Sequence, residues 1–137
     1  DEEMQERIAE HRRCRSPTWT LVEEPLALAR VLREQAAPDR CLLVDCLTLW
    51  LTNLLCANDD NVFATQRRAI VELLPQLPGH IILVSNETGL GVVPLGALSR
   101  RFCDEAGWLH QDIAQLSDRV ILTVAGLPHL LKGKPTA

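Results

Sequence analysis

Apolar positions recur along the chain in two periods, and the switching between them sets the expected elements. Residues 1–10 place Met4 and Ile8 on one face of an acidic stretch. This predicts an amphipathic helix that fails near Ser16-Pro17 and leaves His11 at its C-terminal end. Thr18 to Val22 alternates apolar and polar residues with β-branched members, which predicts a short strand delivering Glu23 and Glu24 to its end. Pro25 suits a first helical turn, and Leu26, Ala29, Val31 and Leu32 carry that helix to about Gln35, where AAPD breaks it. CLLVD, from Cys41, is a continuous apolar run ending in a carboxylate, the pattern of a fully buried parallel strand. LTLWLTNLL then reads as a buried helix, CANDDN as a loop, and Phe63 to Leu74 as an amphipathic helix closed by Pro75 and Pro78. HIILVS repeats the buried-strand pattern and runs into the glycine-bearing loop NETGLGVVP. Leu98, Phe102, Ala106, Leu109, Ile113 and Leu116 predict a long helix, and RVILTV from Arg119 a last buried strand.

Strands that read as apolar runs between helices predict an α/β domain on a parallel sheet covered on both faces. Such sheets bind ligands beyond the carboxyl ends of their strands, which directs attention to Asp45 and to Asn86, Glu87 and the loop that follows. A 137-residue chain that is 47% hydrophobic and 23% charged fits one packed domain, residues 1–137, and carries no repeat or linker that would divide it. The net charge of −4 excludes a general nucleic-acid footprint, although Arg12, Arg13 and Arg15 form a local basic cluster. No run approaches the ~18 to 20 consecutive apolar residues of a membrane span, and the opening DEEMQE is the reverse of a signal peptide's start. A cytoplasmic protein is expected. Five cysteines without a CxxC pair argue against a zinc site and a disulfide scaffold. Cys14 is open to two readings, a tolerated loop residue or a thiol activated by its arginine neighbours.

The residues that carry chemistry are few. Asp45, after four apolar residues, resembles a Walker B ending that places an acid near nucleotide-bound magnesium, or equally a cap on the next helix. Gly89 and Gly91 alone make a tight turn rather than a nucleotide fingerprint. No GxxxxGK[ST] string occurs; the one Gly-Lys, Gly133-Lys134, is followed by Pro135. Arginine's planar donors engage phosphate oxygens in pairs, so Arg12, Arg13 and Arg15 could hold a triphosphate. A histidine with an ordinary pKa of about 6.5 supplies neutral imidazole near neutral pH, which makes His11 either a nucleophile among phosphate-binding arginines or an exposed member of a solvated basic turn.

Read together, DEEMQERIAEHRR, TWTLVEEP, LLVDCLTLWLTNLL, ILVSNETGLGVVP and GLPHLLKG resemble the bifunctional adenosylcobinamide kinase/adenosylcobinamide-phosphate guanylyltransferase family of cobalamin biosynthesis, across essentially the whole chain. The resemblance implies a P-loop, RecA-like α/β fold with a mainly parallel sheet, usually assembled as a homotrimer. It implies phosphorylation of the adenosylcobinamide hydroxyl by ATP or GTP, then GMP transfer from GTP to adenosylcobinamide phosphate, with Mg²⁺ accompanying the nucleotides. No tightly bound organic cofactor, nucleic acid or membrane is implied. By the same resemblance His11 is the residue that becomes guanylylated, and Arg12, Arg13, Cys14, Arg15, Glu23 and Asp45 contact the nucleotide. The family pattern begins with a strand, a Gly-Lys-Ser loop, a helix and a second strand, roughly 35 residues ahead of DEEM, so the chain is expected to be N-terminally truncated relative to it. Cys14 stands where a small residue such as glycine is common, and Ser16 displaces the usual Arg-Pro adjacency by one residue. The rival expectation is a non-catalytic α/β module acting in binding or assembly.

Overall fold

A computed structural model describes residues 1–135. Its elements run α1 (Glu2–Cys14), α2 (Leu28–Gln35), β1 (Cys41–Asp45), α3 (Leu47–Cys56), α4 (Asp60–Leu73), a 3₁₀ turn (Leu74–Gln76), β2 (His80–Val84), α5 (Ala97–Leu116), β3 (Val120–Val124) and β4 (Leu127–Lys132). The core is helical. Leu28 and Leu32 of α2, Leu47, Trp50, Leu51 and Leu54 of α3, Phe63 and Ile70 of α4, and Leu109 and Ile113 of α5 form one buried cluster. Only α3 is apolar nearly all round, and it occupies the middle of this cluster.

Local polar groups decide where the helices start. The Asp59 carboxylate accepts the N–H groups of Asn61 and Val62 at 2.9 and 3.1 Å, so α4 begins at Asp60, inside the segment expected to be a loop. The Glu24 carboxylate accepts from the Ala27 N–H at 2.8 Å and holds Pro25 to Ala27 outside α2, which therefore starts at Leu28 rather than Pro25. Trp50 Nε1 donates to the Leu26 carbonyl at 2.8 Å and Asn53 Nδ2 to the Pro25 carbonyl at 3.2 Å, fastening that segment onto α3.

β1 and β2 pair in parallel, Cys41 opposite His80 through Asp45 opposite Val84. Leu42, Val44 and Leu83 pack against the helical core, whereas Leu43, Ile82 and Val84 on the other face are about 40% exposed or more. The expected strands are therefore present but covered on one face, among the described residues. A turn of high curvature precedes β2: Gly79 has φ +82° and lies against the Ala37 and Arg40 carbonyls, where no side chain fits.

Two expectations fail. Thr18 to Val22 is not a strand; Ser16 to Trp19 closes a turn, Trp19 N–H to Ser16 O at 3.2 Å, and Leu21 and Val22 are half exposed. Alternation cannot make a strand without a ladder partner, and none lies beside it among the described residues. RVILTV, in turn, is not a buried parallel strand. β3 doubles back on β4 as an antiparallel hairpin through Ala125 and Gly126, both at positive φ, and forms its own two-stranded sheet. The hairpin is tied to α5 by Lys132, whose ammonium donates to the Ala114 and Gln115 carbonyls at 2.8 and 3.0 Å at that helix's C-terminal end. No helix among the described residues is long and apolar enough to cross a membrane.

Candidate active site

α1 is held together by charge. Asp1 caps it by accepting from the Met4 N–H at 2.8 Å, Glu2 and Glu3 occupy its first turn, and His11, Arg12 and Arg13 its last, the order the helix dipole favours. It ends at Cys14 with Arg15 as the C-cap, just ahead of Ser16-Pro17 where it was expected to fail, so His11, Arg12, Arg13 and Cys14 are helical. No residue of α1 is buried. Met4, Ile8 and His11 are spaced by four and three residues and share one helical stripe, which makes the histidine an extension of the apolar face. Arg13 is ion-paired to Glu10, whose other oxygen accepts from the Cys14 thiol at 3.3 Å. The His11 imidazole is exposed and has no hydrogen-bond partner among the described residues.

The two adjacent glutamates part company. Glu23 is exposed, and its Oε1 lies 2.6 Å from Arg12 Nη2, an ion pair linking α1 to the approach to α2. Such an exposed pair stabilises by only about 0–1 kcal/mol and is readily exchanged for a better anion. Glu24 is structural: besides its cap on Ala27 it pairs with Arg30 at 3.2 Å. The Ala27 N–H holds its carboxyl below the usual carboxylate range; partial desolvation opposes this, and the Leu26 N–H and Arg30 add to it.

Asp45 ends β1 with its carboxylate exposed and unpartnered among the described residues. It does not cap α3: the N-cap is Cys46, and no side chain bonds the first-turn amides. Across the sheet, β2 ends level with it, and the next residues are held by side chains from two helices. Asn86 Nδ2 donates to Thr48 Oγ1 at 2.7 Å, and Ser85 Oγ lies 2.6 Å from His110 Nε2. Thr48 is nearly buried, and Ser85 and His110 are partly buried. Of the residues expected here, Asp45 and Asn86 stand at this rim and Glu87 turns into the loop beyond it; Thr48, Ser85 and His110 are additions. Ser85 is legible in sequence as the polar residue ending IILV, but the partners lie 38 and 25 residues away and no local pattern announces them. Beyond the rim, Glu87 Oε1 accepts from the Gly89 N–H at 2.7 Å and tightens the loop, as the glycine pattern suggested. Two shallow concavities, one along α1 beside Glu6 and Arg13 and one around Arg40 and His80, lie away from Asp45 and Asn86.

Residues 1–131 match the family described as cobinamide kinase / cobinamide phosphate guanyltransferase. The chain belongs to this family. It is 64% identical over 135 residues to the bifunctional adenosylcobalamin biosynthesis protein CobP of Pseudomonas aeruginosa, a match covering 98% of this chain and 78% of that protein. Against the bifunctional adenosylcobalamin biosynthesis proteins CobU of Salmonella typhimurium and Escherichia coli it is 36% and 30% identical, each time over 93% of this chain and 77% of the relative. The chain is thus an enzyme of the cobinamide kinase / guanyltransferase family, and the residues expected to form its site lie in two places, His11 to Arg15 at the end of α1 with Glu23 paired to Arg12, and Asp45 at the end of β1. The Arg12–Glu23 ion pair is the one direct bond between expected site residues on different segments, among the described residues. Neither His11 nor Asp45 is hydrogen-bonded to another of them.

Proposed function

We propose that this chain performs the two activities its family's description names, cobinamide kinase and cobinamide phosphate guanyltransferase, as phosphorylation of adenosylcobinamide by ATP or GTP and GMP transfer from GTP to adenosylcobinamide phosphate. The family match over residues 1–131 carries the reading. For the second reaction we propose a covalent route. A neutral ring nitrogen of His11 attacks the α-phosphorus of GTP, the bond to the β-phosphate oxygen breaks, pyrophosphate leaves, and the imidazolium loses its proton. The ring then takes up a proton, a phosphate oxygen of adenosylcobinamide phosphate attacks the same phosphorus, the N–P bond breaks to release neutral imidazole, and adenosylcobinamide-GDP is formed.

The exposure of His11 and its position in the last turn of α1, with Arg12, Arg13 and Arg15 around it, support this role. Arg12 and Arg13 are engaged only in exposed ion pairs, to Glu23 and Glu10, so phosphate oxygens can take the place of those carboxylates through stronger paired hydrogen bonds. Their charge stabilises that developing on the departing pyrophosphate. Asp45 suits Mg²⁺, a hard cation that keeps much of its water and is held by one or two carboxylates plus substrate phosphates; a free, exposed carboxylate at a strand end is such a ligand. The ion would supply charge neutralisation between phosphates. Glu23 released from Arg12 and the Cys14 segment complete the nucleotide contacts in this reading.

The parallel β1–β2 pair with Asp45 at its carboxyl end supports a RecA-like P-loop fold. We further propose assembly as a homotrimer, supported by exposed apolar side chains such as Trp108 and Leu131. The test is incubation of the protein, expressed from its whole reading frame, with Mg²⁺ and GTP labelled at the α-phosphate. A protein-bound label stable to base, released by acid and lost in His11→Ala is expected. Undiminished labelling of His11→Ala overturns the histidine's role, and absence of both product formation and label in the unmodified protein overturns the functional reading.

A further inference from the structure

The β1–β2 ladder ends at Asp45 opposite Val84, so the backbone of Ser85 and Asn86 lies beyond the last rung. What fixes these two residues is a side-chain bond on each flank. His110 Nε2, on α5, meets Ser85 Oγ at 2.6 Å, and Thr48 Oγ1, on α3, accepts from Asn86 Nδ2 at 2.7 Å. Past this root the loop is not fixed by packing: Leu90, Val92 and Val93 are 82%, 96% and 71% exposed. The far end of the loop is tied to α5 by Arg100, which donates to the Pro94 and Leu95 carbonyls, and its near end, one residue past a strand whose neighbour ends in Asp45, takes its aim from the clamp.

We propose that His110 is a positioning residue for the transfer reactions: through Ser85 it sets the end of β2 and the root of the 86–94 loop against the Asp45 rim. The inference rests on the function proposed above and adds to it a residue with no expected contact to nucleotide. Removing the imidazole leaves the partly buried Ser85 hydroxyl without its partner and frees the root to shift, and displacements of about 1 Å at a transfer site cost on the order of a hundredfold in rate.

The experiment compares wild type with His110→Ala, Ser85→Ala, the double variant and His110→Gln, whose carboxamide can renew a hydrogen bond to Ser85. The readouts are kcat and KM for the kinase and guanylyltransferase reactions, and hydrogen exchange of the 85–94 amides. His110→Ala and Ser85→Ala are each expected to lower kcat by roughly ten- to a hundredfold with the KM for GTP changed less than about threefold. The double variant should be no worse than either single one, because both remove the same bond. Exchange over 85–94 should quicken in all three, and His110→Gln should recover most of the rate and of the protection, an outcome that a fold-wide loss of stability does not give. Unchanged exchange, quickened exchange with normal kcat, fully additive losses or no recovery in His110→Gln each overturn the proposal. An active wild type with any of these results overturns the positioning role alone; a wild type that turns over neither reaction overturns the proposed function, and the positioning role with it.

Discussion

Leu51 and Leu49 sit two residues apart on α3, the first fully buried and the second 58% exposed, which makes the same substitution at both a test of how the core is built. Leu→Ala removes three carbon centres, and at about 0.8 kcal/mol for each one withdrawn from water the transfer loss at Leu51 is about 2.4 kcal/mol. Leu51 is enclosed by residues of several elements, so the site cannot collapse fully and a cavity term raises the cost to about 3–4 kcal/mol. That is a large part of the 5–15 kcal/mol that stabilises a typical domain. At Leu49 the solvent already reaches much of the side chain, and the expected cost is below about 1 kcal/mol. Urea unfolding followed by far-ultraviolet circular dichroism measures both, with the slope m as a check that the denatured state is unaltered. Equal destabilisation by the two variants would refute the assignment of α3's inward face.

Gly79→Ala places a Cβ against the Ala37 and Arg40 carbonyls at a φ of +82° and should destabilise by about 2 kcal/mol or more, read from the shift in urea midpoint. Glu24→Gln tests a pH dependence. Since the folded-state pKa of Glu24 is lowered, its contribution is present above the ordinary carboxylate pKa of about 4.5 and is lost as pH falls through the lowered value. The variant should therefore show a flatter decline of melting temperature below that pH than wild type. Trp50→Phe removes the indole donor to the Leu26 carbonyl and should cost about 1–2 kcal/mol, with calorimetry as the measure.

The parts of the fold legible in sequence are those with a strong local period. The spacing of Leu109 and Ile113 marks α5, and the unbroken run LTLWLTNLL marks α3, because a helix in the core must be apolar on most of its surface. The runs CLLVD and HIILV were legible as strands, yet not as strands covered on one face, since coverage depends on what packs across the sheet. Thr18 to Val22 shows the same limit, a fitting pattern without a partner. The β3–β4 hairpin was hidden by its turn: Ala125 takes a positive φ that alanine seldom adopts, and Pro128 in β4 argues against a strand. Of the site, Asp45 and Asn86 follow from the rule about strand ends, whereas Thr48 and His110 reach it only through tertiary packing of α3 and α5.

α1 contributes no side chain to the core. A mutation in most enzymes is filtered twice, once for whether the chain still folds and once for whether it still works. At His11, Arg12 and Arg13 the first filter is nearly open, because no packing is lost when they change. Variants at these three positions are therefore expected to accumulate as folded protein, and a saturation library of them tests the role proposed for His11 almost free of the abundance effects that confound such libraries elsewhere. For selection the same separation means that, under the role proposed for His11, drift at that position is restrained by the reaction rather than by the fold.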